Sequence, residues 1–454
     1  LDFDDLLLKT KQLFIENPDI LNKYRDQFDY ILIDEYQDTN HVQFELVRLL
    51  SNEDENICVV GDDDQSIYKF RGADINNILN FNDDYLDSKM IFLTQNYRST
   101  KNILKLASKS IANNTERIEK ELWTENKEGD DVLYIEYNSD LDEANEVIKK
   151  IKRLKSDGCN YSDIAILYRS NMQSRLLEEA CLSLNVPYQI IGSISFYSRK
   201  EIKDVLAYLK VISNPSDSVA LKRIINRPKR KIGDATVSKI EEYASENGLS
   251  LYQALKDSSK IITAKKTIAE IDKFYKFIEE LSEVTNLNEL TKKIIHDSGY
   301  SDWLNSTCEK DEYEDRYGNL TEFVSKVASM VDENPSLTLS EFLESAALIT
   351  EAKTDPSIDK ITLMTLHMSK GLEFKKVFII GLNEGIFPNT YRSADEEEER
   401  RLFYVGITRA MENLWLTSTV RRRINGKILF VRRSPFIEEL PRGVFKFVNN
   451  SYSY

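Results

Sequence analysis

The chain has 454 residues, 41% hydrophobic and 30% charged, with a formal net charge of −15. No run approaches the roughly eighteen apolar residues of a membrane span. The four cysteines form no CxxC pair and stand apart from the histidines, against a zinc site or a disulfide framework and in keeping with a reducing cytoplasm. The acidic balance speaks against a surface coated in nucleic acid, although a local basic groove is compatible with it.

In chain order, LDFDDLLLKT (1–10) lacks the basic, apolar and small-residue segments of a signal peptide. It reads as a helix entered partway along, and the leucine at position 1 as a sign of a longer chain. Short β-rich runs follow: YILIDE (30–35), ICVVGD (57–62), KMIFLTQ (89–95), VLYIEY (132–137), DIAILYR (163–169) and YQIIG (188–192). After a long gap come ITLMTLH (361–367), KVFIIGL (376–382) and LWLTST (414–419). Their alternation with helical segments predicts parallel sheets of the α/β class. Within the gap, EIKDVLAYLKVI, VSKIEEYASE, IAEIDKFYKFIEELSEV and LSEFLESAALI carry apolar residues at helical spacing. They predict a mostly helical domain inserted in the second α/β unit.

Several strings carry chemistry. ILIDEYQDTN (31–40) runs three apolar residues into Asp34 and Glu35. A buried strand would deliver both carboxylates at its C-terminal end, where ligands sit in open α/β sheets. Such a pair suits a nucleotide triphosphatase, one carboxylate for Mg²⁺ and one to activate water. In ICVVGDDDQSIYKFRGAD (57–74), Gln65, Tyr68, Phe70 and Arg71 follow a second strand. An amide able to bond a phosphate or water thus lies beside aromatics and a guanidinium able to hold a single strand. LTQNYRST (93–100) puts Tyr97 and Arg98 just past the third strand, one able to stack and the other to meet a γ-phosphate. MTLHMSKGLEF (364–374) sets His367, Lys370 and Glu373 in a loop and an expected helix start. RRLFYVGITRAMENL (400–414) offers Arg409 as an arginine finger. Taken singly, each has a plain reading: a polar turn, a core aromatic, a surface arginine, a structural histidine. The basic runs KRIINRPKRK (222–231) and RRRINGKILFVRR (421–433) are expected to neutralise phosphates.

Together these strings resemble the motifs of the UvrD/PcrA/Rep group, superfamily 1 DNA helicases that move 3′ to 5′ on single strands. The likeness extends to DFDDLL (2–7), SNMQSRLLEEA (170–180), RKEIKDVLAYL (199–209) and NRPKRKIG (226–233). It implies a remnant of a first RecA-like domain over 1–93 and a second over 94–192 and 358–454, with the helical domain inserted over 193–357. It implies ATP and Mg²⁺ as cofactors, with Asp34 on the metal, Glu35 as catalytic base and Gln65 linking the γ-phosphate to the DNA site. Tyr97 would stack on adenine, Glu373 would lie near the ribose, and Arg98 and Arg409 would stabilise the transferring phosphoryl group. Phe3, Tyr68, Phe70, Arg71 and His367 would line the single-strand path, and Lys229, Arg230 and Lys231 would meet duplex at the junction. Repair or replication proteins are the implied partners, and the cytoplasm the implied location.

The chain departs from the pattern at three positions. Phe70 stands where the family usually has Trp, Lys231 where it commonly has Gly, and Ser193 where a second Gly is usual. A larger gap is the phosphate cradle, GxxxxGK[ST]. Gly426-Lys427 is the sole Gly-Lys pair, Ile428 follows it, and position 421 is Arg, so the pattern does not occur. The expectation is that the cradle lies upstream of DFDDLL in a longer protein and that this chain alone does not hydrolyse ATP. Its first domain is then expected to have an exposed, association-prone edge. A non-catalytic DNA- or partner-binding module is the alternative, against which the intact Asp34, Glu35, Arg98 and Arg409 speak. A helicase-nuclease of the RecB type would need nuclease residues after the last motif, for which the chain leaves no room.

Overall fold

The N-terminal segment holds two short parallel strands, β1 (Ile31–Ile33) and β2 (Ile57–Val59), beside helices Phe3–Glu16, Pro18–Arg25 and His41–Leu50. The computed structural model describes residues 1–51, 56–350, 358–389 and 395–449, with backbone alone for 348–350 and 449. Helix Phe3–Glu16 is not entered partway: the Asp2 carboxylate accepts from the Asp5 N–H in a capping box, which defines its first turn. KMIFLTQ forms no strand. A strand needs a neighbour for its ladder; among the described residues only Gln95 bridges, to Trp123, while Ile91 and Leu93 are 73% and 84% exposed. Leu32 and Val60 are exposed too, so the apolar face of this small sheet is uncovered among the described residues.

The main sheet contains β3 (Leu133–Ser139), β4 (Ile164–Tyr168), β5 (Tyr188–Ile191), β6 (Ile361–Thr365), β7 (Phe374–Ile379), β8 (Ala410–Ile424), β9 (Lys427–Phe430) and β10 (Lys446–Asn449). The order is β10-β3-β8-β7-β4-β6-β5, all parallel, with β9 antiparallel to the end of β8. The chain is therefore α/β, built mainly on a parallel sheet. All five residues of central β4 are buried, as a strand covered on both faces requires. Alternation sends Ile164, Ile166 and Tyr168 to the face covered by helices Asp140–Ser156 and Ser174–Ser183. Ala165 and Leu167 go to the face covered by helices Lys101–Ile111 and Glu396–Ile407.

Between β5 and β6, which pair directly, the described residues make ten α-helices with a core of their own, from Phe196 to Ala346. Helix Lys310–Glu333 ties this helical body to the sheet. Arg175 meets Glu322 at 2.6 Å, Lys326 meets Glu179 at 3.0 Å, and Arg423 meets Asp332 at 2.7 Å. The expected end of the insertion falls on 351–357, outside the described residues. Strands β9 and β10 were not foreseen.

Candidate nucleotide and nucleic-acid site

Asp34 leaves β1, and Glu35 takes a left-handed conformation (φ 51°), uncommon for a residue with a Cβ. The Glu35 N–H donates to Asp34 Oδ1 at 2.8 Å. The Glu35 carboxylate accepts from Gln37 Nε2 at 2.6 Å and pairs with Lys370 Nζ at 3.3 Å. Gly61 lets the end of β2 come close: a Cβ there would lie 2.5 Å from Gln37 Oε1. That oxygen accepts the Asp62 N–H at 3.1 Å. Asp62 in turn accepts from Gln65 Nε2 at 2.6 Å, and Gln65 Oε1 receives Arg409 Nη2 at 3.4 Å.

Arg409 is 2% exposed at the end of helix Glu396–Ile407. It donates to the carbonyls of Val405 (2.9 Å) and Leu372 (3.2 Å) and to Thr408 Oγ1 (3.0 Å). Burial, then the neighbouring Arg98 cation, push its pKa down to about 10, so it remains charged at neutral pH. Arg98 donates to Glu373 Oε2 at 2.6 Å and to the Thr408 carbonyl at 3.3 Å. Tyr97 is 78% exposed, its hydroxyl on Gln95 Oε1 at 2.9 Å. Glu373 precedes strand β7 and not a helix, so no helix N-terminus contributes there.

Beside this polar chain stands a ring cluster. Phe70 meets His367 edge-on at 5.4 Å, and Tyr68 lies 6.0 Å from Phe70 and 6.5 Å from His367. The Arg71 guanidinium lies 5.4 Å from both the Tyr68 and Phe70 ring centres. Lys370 joins the two groups. Its ammonium bonds Asp38 and the Gln65 carbonyl (2.9 Å), pairs with Glu35, and lies 5.4 Å from the Tyr68 ring centre. Burial raises the Asp38 pKa, partly opposed by its bond to Lys370.

Glu35, Gln65, Arg98, Glu373 and Arg409 therefore form one connected set, and Tyr68, Phe70, Arg71 and His367 another. Asp34 joins the first through the Glu35 backbone. Phe3 is 89% exposed on the first helix, which packs against helix His41–Leu50. Lys229 and Lys231 are exposed. Arg230 instead donates to the carbonyls of Ile224 (3.0 Å) and Pro228 (3.3 Å) and to the Tyr208 hydroxyl (2.6 Å), and stacks near Phe274. That is an internal clamp. Lys231 adopts φ 62°, the left-handed region, whereas Ser193 does not.

The basic runs are partly spent on the fold. Lys222 pairs with Glu241, and Arg223 and Arg227 with Asp204. Arg422 pairs with Glu143, Arg423 with Asp332 and Arg433 with Glu136. Asp38, Gln37, Asp62 and Lys120, which touch the site, were not singled out from the sequence. Asp38 and Lys120 have partners distant in the chain, Lys370 and the 62–64 carboxylates, which no local spacing marks.

The UvrD-like helicase C-terminal domain family matches residues 91–421, and the UvrD/REP helicase N-terminal domain family matches residues 1–86. Similar proteins include the ATP-dependent DNA helicases PcrA of Staphylococcus epidermidis, 46% identical over 97% of this chain, and of Bacillus subtilis, 45% identical over 99%. In both cases the chain spans 62% of the relative's length. A solved C-terminal domain of a possible DNA helicase from a Lactobacillus aligns with TM-score 0.31 and 11% identity, over 77% of this chain and 98% of its own, too loosely to bear on the fold. With the family match covering most of its length, the chain belongs to the UvrD-like helicases.

Proposed function

We propose that this chain is the C-terminal part of an ATP-driven DNA helicase that translocates 3′ to 5′ on a single strand. Its two α/β units would be RecA-like lobes, the first a remnant over 1–93 and the second divided by the helical body. The observation that carries the reading is Lys370, which joins the Glu35–Gln65 polar chain to the Tyr68–Phe70–His367 rings. Bound ATP would supply the phosphoanhydride whose cleavage powers translocation.

Asp34 is a solvent-exposed hard oxygen ligand, which suits a Mg²⁺ that keeps most of its waters and shares phosphate oxygens. Glu35, with its side chain 60% exposed, is placed to take a proton from water. Arg98 and Arg409 present positive charge, and Arg409 is held too firmly by backbone carbonyls to need reorganising. Tyr97 is open for an adenine to stack on, with Glu373 beside Arg98 on the ribose side. The half-exposed rings and Arg71 would hold successive bases, and Lys229 and Lys231 would meet duplex phosphates at the junction. Phe3 would extend the path only if the strand reaches the first helix. Without GxxxxGK[ST], the chain alone would bind DNA but not turn over ATP. Repair or replication in the cytoplasm is the setting we propose.

The test is fluorescence anisotropy of labelled oligo-dT and of an equal-length duplex with this chain across a salt series. The reading expects tighter binding of the single strand, weakening steeply with salt. Salt-insensitive or duplex-preferring binding would overturn it.

A further inference from the structure

We propose that Lys120, acting through Asp62, is a positioning residue that sets the orientation of the Gln65 amide and steadies the 61–71 loop bearing the ring cluster. The inference rests on the single-strand reading of that cluster.

The Lys120 ammonium sits among three consecutive carboxylates, 2.8 Å from Asp62, 2.6 Å from Asp63 and 3.0 Å from Asp64. Its side chain is 12% exposed. Burial by itself would lower its pKa, but the three carboxylates outweigh burial and raise it. Arg117 grips Asp64 with two bonds, at 2.9 and 2.8 Å, and the Ile118 N–H donates to Asp63 at 2.8 Å. Asp63 and Asp64 are buried and Asp62 is partly exposed, and buried carboxylates this close are stable only while their cations remain.

The residues carrying those cations are fastened to helix Glu396–Ile407, which ends two residues before Arg409. Thr115 Oγ1 donates to Glu397 at 2.7 Å, Arg400 donates to Asn114 Oδ1 at 2.8 Å, and Arg401 donates to the Glu116 carbonyl at 3.2 Å. One short strap thus links Asp62, on one side of Gln65, to the helix that precedes Arg409 on the other. On one side Asp62 is an acceptor only, so it must face the amide NH₂. On the other Arg409 is a donor only, so it must face the amide oxygen. Losing Lys120 would leave the triplet self-repelling, move Asp62, and release both the amide and the rings three to five residues further on.

A purely structural ion cluster would predict loss of stability and nothing specific. The test therefore compares Lys120→Met, Lys120→Arg and Asp62→Asn with the wild-type chain. Oligo-dT affinity is read across a salt series, with hydrogen exchange of the 63–71 amides read without DNA. Lys120→Met and Asp62→Asn are expected to weaken binding at least about fivefold at every salt concentration. The slope of log K against log salt should stay unchanged, because Lys120 faces carboxylates and not phosphate. Lys120→Arg should restore affinity, and the 63–71 amides should exchange faster in the two weakened variants alone. A slope reduced by about one would make Lys120 a direct phosphate contact and overturn the proposal. Unchanged binding and exchange in folded variants would also overturn it. If the wild-type chain binds no oligo-dT, the parent reading falls, and exchange alone decides whether Lys120 holds the loop.

Discussion

Replacing Phe70 by Ala probes the ring cluster with little disturbance of the core, since the residue is 53% exposed and its ring lies against Tyr68, His367 and the Arg71 guanidinium. A phenylalanine side chain offers about 200 Å², so roughly 100 Å² remains open to a base. Covering it at about 25 cal/mol per Å² stabilises the complex by about 2.5 kcal/mol. That falls inside the roughly 1–3 kcal/mol observed per stacked base. Partial coverage by a tilted base lowers the figure to about 1.5–2.5 kcal/mol, or a loss of roughly 10- to 70-fold in affinity. The assay is anisotropy of labelled oligo-dT at fixed low salt, with a salt series as control. The salt slope should not move, because no charge is removed. Phe70→Trp should bind as tightly as wild type or a few-fold more tightly. Affinity of Phe70→Ala within about twofold of wild type, in a protein with unchanged circular dichroism, would refute the assignment of the rings to the strand.

Lys231→Gly should stabilise the helical body. Relief of the left-handed conformation is worth about 1–2 kcal/mol, offset by about 0.4–1 kcal/mol from the extra freedom of glycine in the unfolded chain. Calorimetry should show a melting temperature about 1–3 °C higher, and a lower one would contradict the backbone argument. Asp359 accepts from Lys155 Nζ (2.7 Å) and from the backbone N–H groups of Tyr161 (2.9 Å) and Ser162 (2.9 Å). Burial would raise its pKa, but these bonds prevail and hold the carboxyl well below its ordinary range. A depressed carboxylate stabilises above its unfolded pKa and loses that contribution as pH falls toward the folded value. Asp359→Asn should therefore lower the urea midpoint at pH 7, with the gap to wild type narrowing below about pH 4. A gap that stays constant down to acid pH would dissociate the stability from this carboxyl.

The parallel sheet was legible because its strands are buried on both faces and so read as unbroken apolar runs; DIAILYR is the clearest case, with β4 buried throughout. KMIFLTQ carries the same signal and still forms no strand. An apolar run reports a wish to be covered, and only a neighbour can supply the ladder. The β8–β9 hairpin had a local mark that went unread: Asn425-Gly426, both at positive φ, lies between β-forming residues. The basic runs misled for a different reason. Arg422 finds Glu143 279 positions away, and Arg433 finds Glu136 297 positions away. Charge counted along the sequence cannot tell a phosphate contact from an ion pair closed by the fold. Glu35, Gln65, Arg98, Glu373 and Arg409 come together, as do Tyr68, Phe70, Arg71 and His367, whereas Phe3, Tyr97, Lys229 and Lys231 stand exposed and Arg230 is turned inward. The residues that connect them, Asp38 to Lys370 across 332 positions and Lys120 to the acid triplet, had no local pattern to announce them.

The central claim is that the triphosphate chemistry is present in this chain except for its phosphate cradle. ATP turnover by the chain, with and without oligo-dT at low salt, tests it most directly. The account predicts no turnover above background under either condition, from a protein that binds the oligonucleotide in the same buffer. Turnover stimulated by oligo-dT and abolished by Glu35→Gln would contradict it, because a cradle would then exist that GxxxxGK[ST] does not describe.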